Sequence, residues 1–454
     1  MQHHSKTTRR SFLKKAGAAG AGALTVPYLV TVPIFGKDAP SNKLNVALLG
    51  CGGEGRGVTP WGENVLAVCD VDARCLAEAK KRAPKAKGYE DYRKLLDEEK
   101  ALDAVVIAPG QRWHVPMSRR AMAAGKHVFC EKPLAHSAAQ ARQIRELAKQ
   151  SPKLVTQVGS QGGSTDTFRR SMEIIQAGVL GQIREAYTWM DRGCERSRNY
   201  DTHADPIPKE LNWDFWCGPS KVLPFKNHYL GFCLNWGPWL EFGDGHLADM
   251  GAHAINLPWR ALKLGPPLSC SVEIPEPLKD SYPSATRIQW EFAARENLPP
   301  VKLWWHDGGK SGVPAELVKE VLTTHRPFPG NGVLFAGEKG ILWSDAWGTG
   351  GVVKMKDEAK GRGVLDHPAC KSVPVTLPRV PGQNHMGEFV QACKGGPKTF
   401  QGFETAADIA QIAMVGIVTL RFGKPIEWDD AALAVKGAPE ADPLVHRPER
   451  PKWL

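Results

Sequence analysis

The chain has 454 residues, of which 42% are apolar and 24% charged, and it carries a formal net charge of +11. The length predicts two domains or one large domain with additions, and the composition is typical of a soluble enzyme. Lys and Arg are scattered rather than gathered into a stripe, and no helix-turn-helix, zinc-finger or RNA-binding signature is present, so we expect no nucleic-acid partner.

The first 40 residues predict export. "TTRRSFLKK", residues 7–15, places two adjacent arginines ahead of a stretch without charge from Ala16 to Gly36. This order of a basic and an uncharged region closely resembles a twin-arginine signal, which directs folded proteins to the twin-arginine export machinery. We therefore expect a periplasmic or exported protein with residues 1–40 as its signal segment. No A-x-A cleavage site is evident near "FGKDAPSNK", so the cleavage of this segment is unresolved and an uncleaved membrane anchor is an open alternative.

The sequence "KLNVALLGCGGEGRG" predicts the start of a nucleotide-binding domain. An apolar run directly precedes the motif Gly50-x-Gly52-x-x-Gly55, and a second apolar run ends at an acidic residue twenty positions after the first glycine. In dinucleotide-binding domains such glycines let the backbone approach the pyrophosphate, and the acid accepts hydrogen bonds from ribose hydroxyls, which favours NAD over NADP. The cofactor-binding residues predicted in this stretch are Gly50, Gly52, Gly53, Gly55 and Asp70.

Strand and helix patterns then alternate as far as residue 160. Pro60 predicts that the helix after the glycine motif is short or distorted. "ALDAVVIAPG", "KHVFCEKPL" and "KLVTQVGSQGG" are typical of buried strands, whereas "HVPMSRRAMAAG" and "HSAAQARQIRELAKQ" are typical of helices. This alternation predicts a doubly wound parallel sheet over residues 42–160, with its ligand at the carboxyl ends of the strands.

Four sequence stretches together resemble one family. "VALLGCGGEGRG", "DAVVIAP…H", "AGKHVFCEKPLA" and "DMGAH" resemble, in order and spacing, the Gfo/Idh/MocA oxidoreductases over most of the chain from about Asn42. The resemblance implies an α/β protein: a Rossmann domain, then a substrate-binding and oligomerisation domain over residues 161–440 with an open, mostly antiparallel sheet. It also implies a homo-oligomer and a carbohydrate substrate such as a sugar, an inositol or a related polyol.

The same resemblance implies catalytic roles. Lys132 would orient the substrate hydroxyl near the nicotinamide, and His253, supported by Asp249, would take the hydroxyl proton. Glu131 belongs to the same Glu-Lys-Pro motif as Lys132. Other polar residues lie at the ends of predicted strands, where they line the cofactor or substrate pocket or serve as ordinary rim residues. These are His114, Gln157 and Gln161.

The second half begins with a helix, "DTFRRSMEIIQAGVLGQI", a strand, "EAYTWMD", and a long loop between residues 192 and 245. Loops of this length inside compact domains are usually functional or disordered, and the tryptophans argue against disorder. Trp213 and Trp236 are candidates for stacking on a sugar ring. The alternative is that these tryptophans fill a core or a subunit interface.

"GDGHLADMGAHAIN" predicts a helix on which Asp249 and His253, four residues apart, share one face. A neutral imidazole beside a carboxylate is a good proton acceptor near neutral pH. His246 lies one turn earlier and permits a metal site, but without a second ligand cluster we expect no metal. Where many relatives have a further Asp, this chain has Asn256.

The remaining sequence predicts a hairpin, two helices and a tail. "KLWWHDGGK" is typical of a hairpin turn, and His306 would face the substrate if that hairpin folded over the pocket. "NHMGEFVQACKGG" and "FETAADIAQIAMVGIVTLRFGKPIEWD" predict helices, the second largely buried. Residues 441–454 are predicted to be an extended tail. The ten cysteines are irregularly spaced, and no disulfide is predicted from them.

Export constrains the chemistry, because free nicotinamide cofactor is not expected outside the cytoplasm. The first hypothesis is therefore a sugar or polyol oxidoreductase that keeps its NAD tightly bound. The second is a glycoside hydrolase that oxidises its sugar transiently and returns the cofactor to its starting state. The third is a non-catalytic cofactor-binding sensor, against which Lys132 and His253 argue.

Overall fold

Two β-sheets organise residues 42–309 and 312–453, which are the residues that the computed structural model describes. The predicted signal segment, residues 1–40, lies outside these described residues.

The first sheet has six parallel strands in the order β3-β2-β1-β4-β5-β6. Its central strands are apolar runs buried on both faces, which is the pattern expected of a parallel sheet covered by helices. The strands are β1 (Asn45–Leu49), β2 (Asn64–Cys69), β3 (Lys87–Tyr89), β4 (Ala104–Ile107), β5 (His127–Cys130) and β6 (Thr156–Val158). The helices between them are α1 (Gly55–Val58), α2 (Ala73–Arg82), α3 (Tyr92–Glu98), α4 (His114–Ala123) and α5 (Ala138–Gln150). The doubly wound parallel sheet predicted from the sequence is confirmed.

Local chemistry sets the ends of these helices. α1 has only four residues and ends two residues before Pro60, as expected. Ser137 is the N-cap residue of α5, and its hydroxyl accepts a hydrogen bond from the Gln140 amide at 3.1 Å. The Gln140 side chain in turn accepts a hydrogen bond from the His136 amide at 2.9 Å. This is a capping box with its return bond shifted by one residue.

The second sheet has ten strands in the order β14-β13-β12-β11-β7-β10-β9-β8-β15-β16, and all pairs except β7 with β10 are antiparallel. This confirms the mostly antiparallel sheet. The strands are β7 (Ile183–Met190), β8 (Ser269–Glu273), β9 (Thr286–Phe292), β10 (Val301–Asp307), β11 (Asn331–Gly337), β12 (Gly340–Ser344), β13 (Val352–Met355), β14 (Arg362–Gly363), β15 (Ile426–Asp429) and β16 (Ala434–Val435). Side chains alternate, so Trp290 and Trp305 face the core.

The helices of this half pack against the second sheet or join it to the first, and one of them, Ala315–Leu322, lies on the face of the sheet opposite to the main core. They are α6 (Asp166–Gln176), α7 (Trp213–Cys217), α8 (Cys233–Trp236), α9 (Gly245–Ala254), α10 (Asn256–Ala261), α11 (Ala315–Leu322), α12 (Pro368–Lys371), α13 (His385–Cys393), α14 (Phe403–Phe422) and α15 (Asp442–His446). The start of α14 packs in the core of the first sheet and its remainder in the core of the second. Among the described residues α14 is the one helix long and apolar enough to cross a membrane. Of its most apolar 18-residue stretch, 83% is buried inside the protein.

Two local predictions differ from the structure. β10 pairs with the preceding β9 and with β7, and the His306-Asp307-Gly308 turn leads to α11 instead of closing a hairpin. The segment from residue 441 is not an extended tail, because it contains α15 and ends with Trp453 buried against Phe215, ring centroids 4.4 Å apart.

Candidate active site

A cleft of about 270 Å³ opens at the carboxyl ends of β1, β2, β4 and β5. One side of the cleft comes from the glycine-rich loop after β1, the residues after β2 and the turn after β5. The other side comes from the long loop of residues 192–245. Its lining includes Gly50, Gly52, Gly53, Asp70, Pro109, Arg112, Glu131, Lys132, Trp216, Phe232, Cys233 and Trp236.

The glycine-rich loop is packed too tightly for side chains. Gly50 has a φ of +89°, its amide donates to the Cys69 carbonyl at 2.9 Å, and a Cβ there would lie 2.5 Å from the Pro109 nitrogen. A Cβ on Gly55 would lie 2.1 Å from the Gly50 carbonyl oxygen. Only glycine allows α1 to pack this closely on the loop, and the loop then presents bare backbone to the cleft.

Asp70 follows β2 and lines the cleft. Its carboxylate accepts hydrogen bonds from the amides of Cys51 at 2.7 Å and Asp72 at 2.9 Å. Burial raises the pKa of Asp70 to about 6, although these backbone hydrogen bonds oppose the shift. Each carboxylate oxygen keeps a second lone pair, so Asp70 can also accept from ribose hydroxyls, and this donor and acceptor set fits a dinucleotide.

Lys132 lies between this cleft and a smaller cavity of about 10 Å³. Its ammonium lies 2.6 Å from Asp249 Oδ1, and the two side chains are 12% and 14% exposed. Burial alone would lower the pKa of Lys132, but Asp249 raises that pKa above its ordinary value. The same ion pair outweighs burial at Asp249 and lowers its pKa. Both groups are therefore ionised near neutral pH.

Two buried imidazoles lie on α9 with Asp249. Burial, and next the Lys132 ammonium, lower the pKa of His253 to about 3, and burial lowers the pKa of His246. Both rings are therefore neutral near pH 7, and Nδ1 of each has no hydrogen-bond partner among the described residues. Asp249 bonds to Lys132 and acts on His253 only through its charge, which differs from the direct support predicted. His246, not His253, lines the small cavity beside Asp249.

Glu131 and His114 support the turn that carries Lys132. Burial raises the pKa of Glu131 to about 7, and its carboxylate accepts from the Lys132 amide at 3.1 Å. The His114 ring contacts the carbonyl oxygens of Pro133 at 2.6 Å and Pro109 at 3.1 Å, and burial lowers its pKa to about 4. Glu131 lines the cleft, whereas His114 lies behind it.

Besides Gly55, His114, Asp249 and His253, four more predicted residues do not line the cleft. Gln157 is buried and its amide donates to the His385 carbonyl at 2.8 Å, whereas Gln161 is exposed. Trp213 donates to the Leu223 carbonyl at 2.8 Å inside an aromatic cluster, and His306 is buried on the outer face of β10. Of the two predicted substrate tryptophans, only Trp236 lines the cleft.

Two cleft residues, Cys233 and Arg112, and one residue of the small cavity, His246, were given no role in the cleft from the sequence. Cys233 Sγ lies 3.5 Å from Asp249 Oδ1, and Arg112 lies 3.9 Å over the ring of Trp216. In the sequence, only the tryptophan-rich loop indicated this side of the cleft. His246 was visible as a residue one turn before Asp249, although its spacing suggested a metal.

Neither a metal-ligand cluster nor a disulfide is found among the described residues. Within residues 42–309 and 312–453, no three or more His, Cys, Asp or Glu side chains are grouped so that they could hold a metal ion. All ten cysteines of the chain lie in this part, and their thiols are free.

Two family models match the chain. Residues 44–160 match the oxidoreductase family with an NAD-binding Rossmann fold, and residues 175–295 match the C-terminal alpha/beta domain of that oxidoreductase family. Together the two matches extend over more than half of the chain.

Curated relatives and solved structures agree with these matches. An inositol 2-dehydrogenase of Salmonella typhimurium is 35% identical over 125 residues, which are 27% of this chain and 37% of that protein. A glycosyl hydrolase family 109 protein of a Shewanella species is 35% identical over 154 residues, with 28% of this chain and 34% of that protein covered. The chain thus matches little more than a third of the length of these relatives. A solved structure with the same fold is an inositol dehydrogenase homolog from Azotobacter vinelandii, complexed with NADH and myo-inositol. Its TM-score is 0.55 at 17% sequence identity, and the match covers 85% of this chain and 98% of that chain.

Proposed function

The chain belongs to the Gfo/Idh/MocA family of oxidoreductases, and on that premise we propose that it transfers a hydride between a CH–OH carbon of a sugar, inositol or related polyol and a tightly bound NAD. The observation that carries this proposal is the position of Lys132. Its side chain lines the same cleft as the glycine-rich loop and Asp70, and its ammonium is held by Asp249 at 2.6 Å.

The chain's own residues bind the cofactor and orient the substrate. NAD, when bound, supplies the acceptor for the substrate hydride. Gly50, Gly52 and Gly53 expose backbone to its pyrophosphate, and Asp70 accepts from its ribose. Lys132 stays protonated beside Asp249, so it donates a hydrogen bond to the reacting hydroxyl and stabilises the negative charge that develops on that oxygen.

The hydroxyl proton passes to a neutral imidazole. The family resemblance favours His253, whose Nδ1 has no partner among the described residues. His246 is the second candidate because it lines the cavity beside Asp249. Replacing His253 with Gln should abolish turnover, whereas His246→Gln should mainly raise KM. The reverse result would assign the proton to His246.

A net reaction that returns the cofactor to its starting state is the second candidate function. The 35% identity to a glycosyl hydrolase family 109 protein supports it. In that reaction a sugar carbon would be oxidised in the same cleft, the aglycone would leave by elimination, water would add in its place, and the oxidised carbon would be reduced again. The predicted export gives a reason for either form of cofactor retention, because free NAD is not expected outside the cytoplasm.

One experiment separates the two functions. The NAD-loaded protein is mixed with free polyols, including myo-inositol, and separately with aryl glycosides, while absorbance at 340 nm and aglycone release are followed. NADH formed with a free polyol supports the dehydrogenase. Aglycone released without net NADH supports the glycosidase. If protein that holds NAD gives neither NADH nor free aglycone, both proposed functions are refuted.

A further inference from the structure

The long loop of residues 192–245, here called the aromatic loop, forms one wall of the cleft. The sequence predicted that its tryptophans stack on a sugar or fill a core. Trp213 and Trp239 lie in a buried aromatic cluster, as the second alternative expects, and another part of the loop lies across the nucleotide cleft from the glycine-rich loop. The residues that it contributes to the lining are Phe215, Trp216, Leu230, Gly231, Phe232, Cys233 and Trp236.

The aromatic loop is fixed next to Asp70. The Ala73 amide donates to the Glu210 carbonyl at 2.9 Å, and the Asn212 amide donates to the Val71 carbonyl at 3.0 Å. Residues 71–73 directly follow the predicted ribose acid, and α7 begins directly after Asn212. α7 therefore stands at the end of the cleft where the adenosine half of a dinucleotide lies.

Trp216 of α7 is held rigidly at this end. The Arg112 guanidinium lies 3.9 Å from its ring centroid, and Trp213 stacks on it at 4.7 Å. Arg112 also donates to the Trp216 carbonyl at 2.6 Å. Arg112 and Trp213 thus cover the two faces of the ring, and its partly exposed edge lines the cleft, where a flat base can pack edge-to-face against it.

Phe232 lies over the glycine-rich loop. It is 57% exposed, and its ring lies 3.9 Å from the position that a Cβ on Gly53 would occupy. The preceding Gly231 has a φ of +111°, a conformation that lets the chain turn over the loop. A diphosphate on the glycine-rich loop would therefore lie under Phe232.

We propose that the aromatic loop is a cofactor-retaining wall, in which the edge of the Trp216 ring packs against the adenine of the dinucleotide and Phe232 covers its diphosphate. This inference rests on the proposed function, since it takes the cleft to be an NAD site. Both contacts have to be broken before the cofactor leaves, so the wall slows release.

The test measures how fast NADH leaves the full-length protein. NADH-loaded protein is mixed with excess NAD, and the loss of bound NADH fluorescence gives the release rate. Trp216→Ala and Phe232→Ala should each speed release about tenfold, because the loss of an aromatic contact of about 1.4 kcal/mol corresponds to a factor of ten. Ile207→Ala is the matched control, because Ile207 is 50% exposed in the same loop but does not line the cleft. It should release NADH at the wild-type rate.

The outcomes separate the two levels of the argument. Wild-type protein that binds no NADH would overturn the proposed function, and the wall with it. Wild-type protein that holds NADH, with both variants releasing it at the wild-type rate, would overturn the wall and leave the proposed function standing. If Trp216→Ala does not fold, Phe232→Ala decides alone, because an exposed side chain can be truncated with little effect on folding.

Discussion

Replacing Lys132 with Met should destabilise the protein through Asp249. At 2.6 Å and an effective dielectric constant of about 20, the attraction between the two charges is about 6 kcal/mol, and desolvation of both ions offsets part of it. Removal of one partner leaves a buried, unpaired charge, so Lys132→Met should lower the free energy of unfolding by about 3 kcal/mol. Asp249→Asn should do the same, and the double variant should lose much less than the sum of the two.

Urea unfolding followed by tryptophan fluorescence measures this coupling. Lys149→Met is the matched control, because the Lys149 ammonium lies 3.2 Å from the Glu146 carboxylate and both side chains are nearly half exposed. Its effect should stay within about 0.5 kcal/mol. Without Lys132, burial should raise the pKa of Asp249 above its ordinary value, so the loss in Lys132→Met should shrink as pH falls toward 4. Additive single variants, or a loss that does not change with pH, would refute the ion pair.

Three further predictions concern the cofactor loop and the C-terminal segment. A ligand that donates hydrogen bonds to ionised Asp70 lowers the pKa of this carboxyl from about 6, so the affinity for NAD should rise between pH 5 and 7. Titration calorimetry should find a weaker rise in the Asp70→Asn variant. Gly55→Ala should abolish NAD binding, because the new Cβ would lie 2.1 Å from the Gly50 carbonyl oxygen. Gly57→Ala is the control and should bind NAD normally in the same titration, because a Cβ at residue 57 would have no atom within 4 Å. Arg447→Met should lower the free energy of unfolding by about 3 kcal/mol, because it removes the guanidinium that lies 3.1 Å from the carboxylate of the fully buried Asp244. Lys452→Met, at an exposed position, should change the free energy of unfolding little.

Local sequence patterns predicted the parallel sheet, whereas the mostly antiparallel sheet was expected from the family resemblance. Apolar runs such as β1 and β4 are buried on both faces, and their glycine and polar ends mark where each strand stops. Because the ends of parallel strands meet at one edge, the glycine-rich loop, Asp70 and Lys132 could be expected in one cleft. The family resemblance added Asp249 and His253.

The residues that were placed wrongly from the sequence lie in strands, where the position of a residue along the strand decides which face of the sheet its side chain lies on. Gln157 was taken as a strand end, yet it lies inside β6 and its side chain points to His385. His306 likewise lies within β10, where alternate side chains face opposite sides of the sheet. An error of one residue in the end of a strand moves a side chain to the other face.

The contacts that complete the cleft link residues far apart in sequence. Arg112 and Trp216 are 104 positions apart, and Lys132 and Asp249 are 117 positions apart. No periodicity within a helix or strand encodes such pairs, so the role of the aromatic loop was not visible before the structure. The twin-arginine signal, export and the homo-oligomer stay predictions.

The most direct test of the account is a single turnover with NAD-loaded protein and a polyol that the wild type oxidises. Absorbance at 340 nm should rise in the wild type. Lys132→Met should still carry NAD, released on denaturation in the same amount, but should give no such rise. An equal rise in Lys132→Met, or no rise in the wild type with any sugar, inositol or related polyol, would contradict the account.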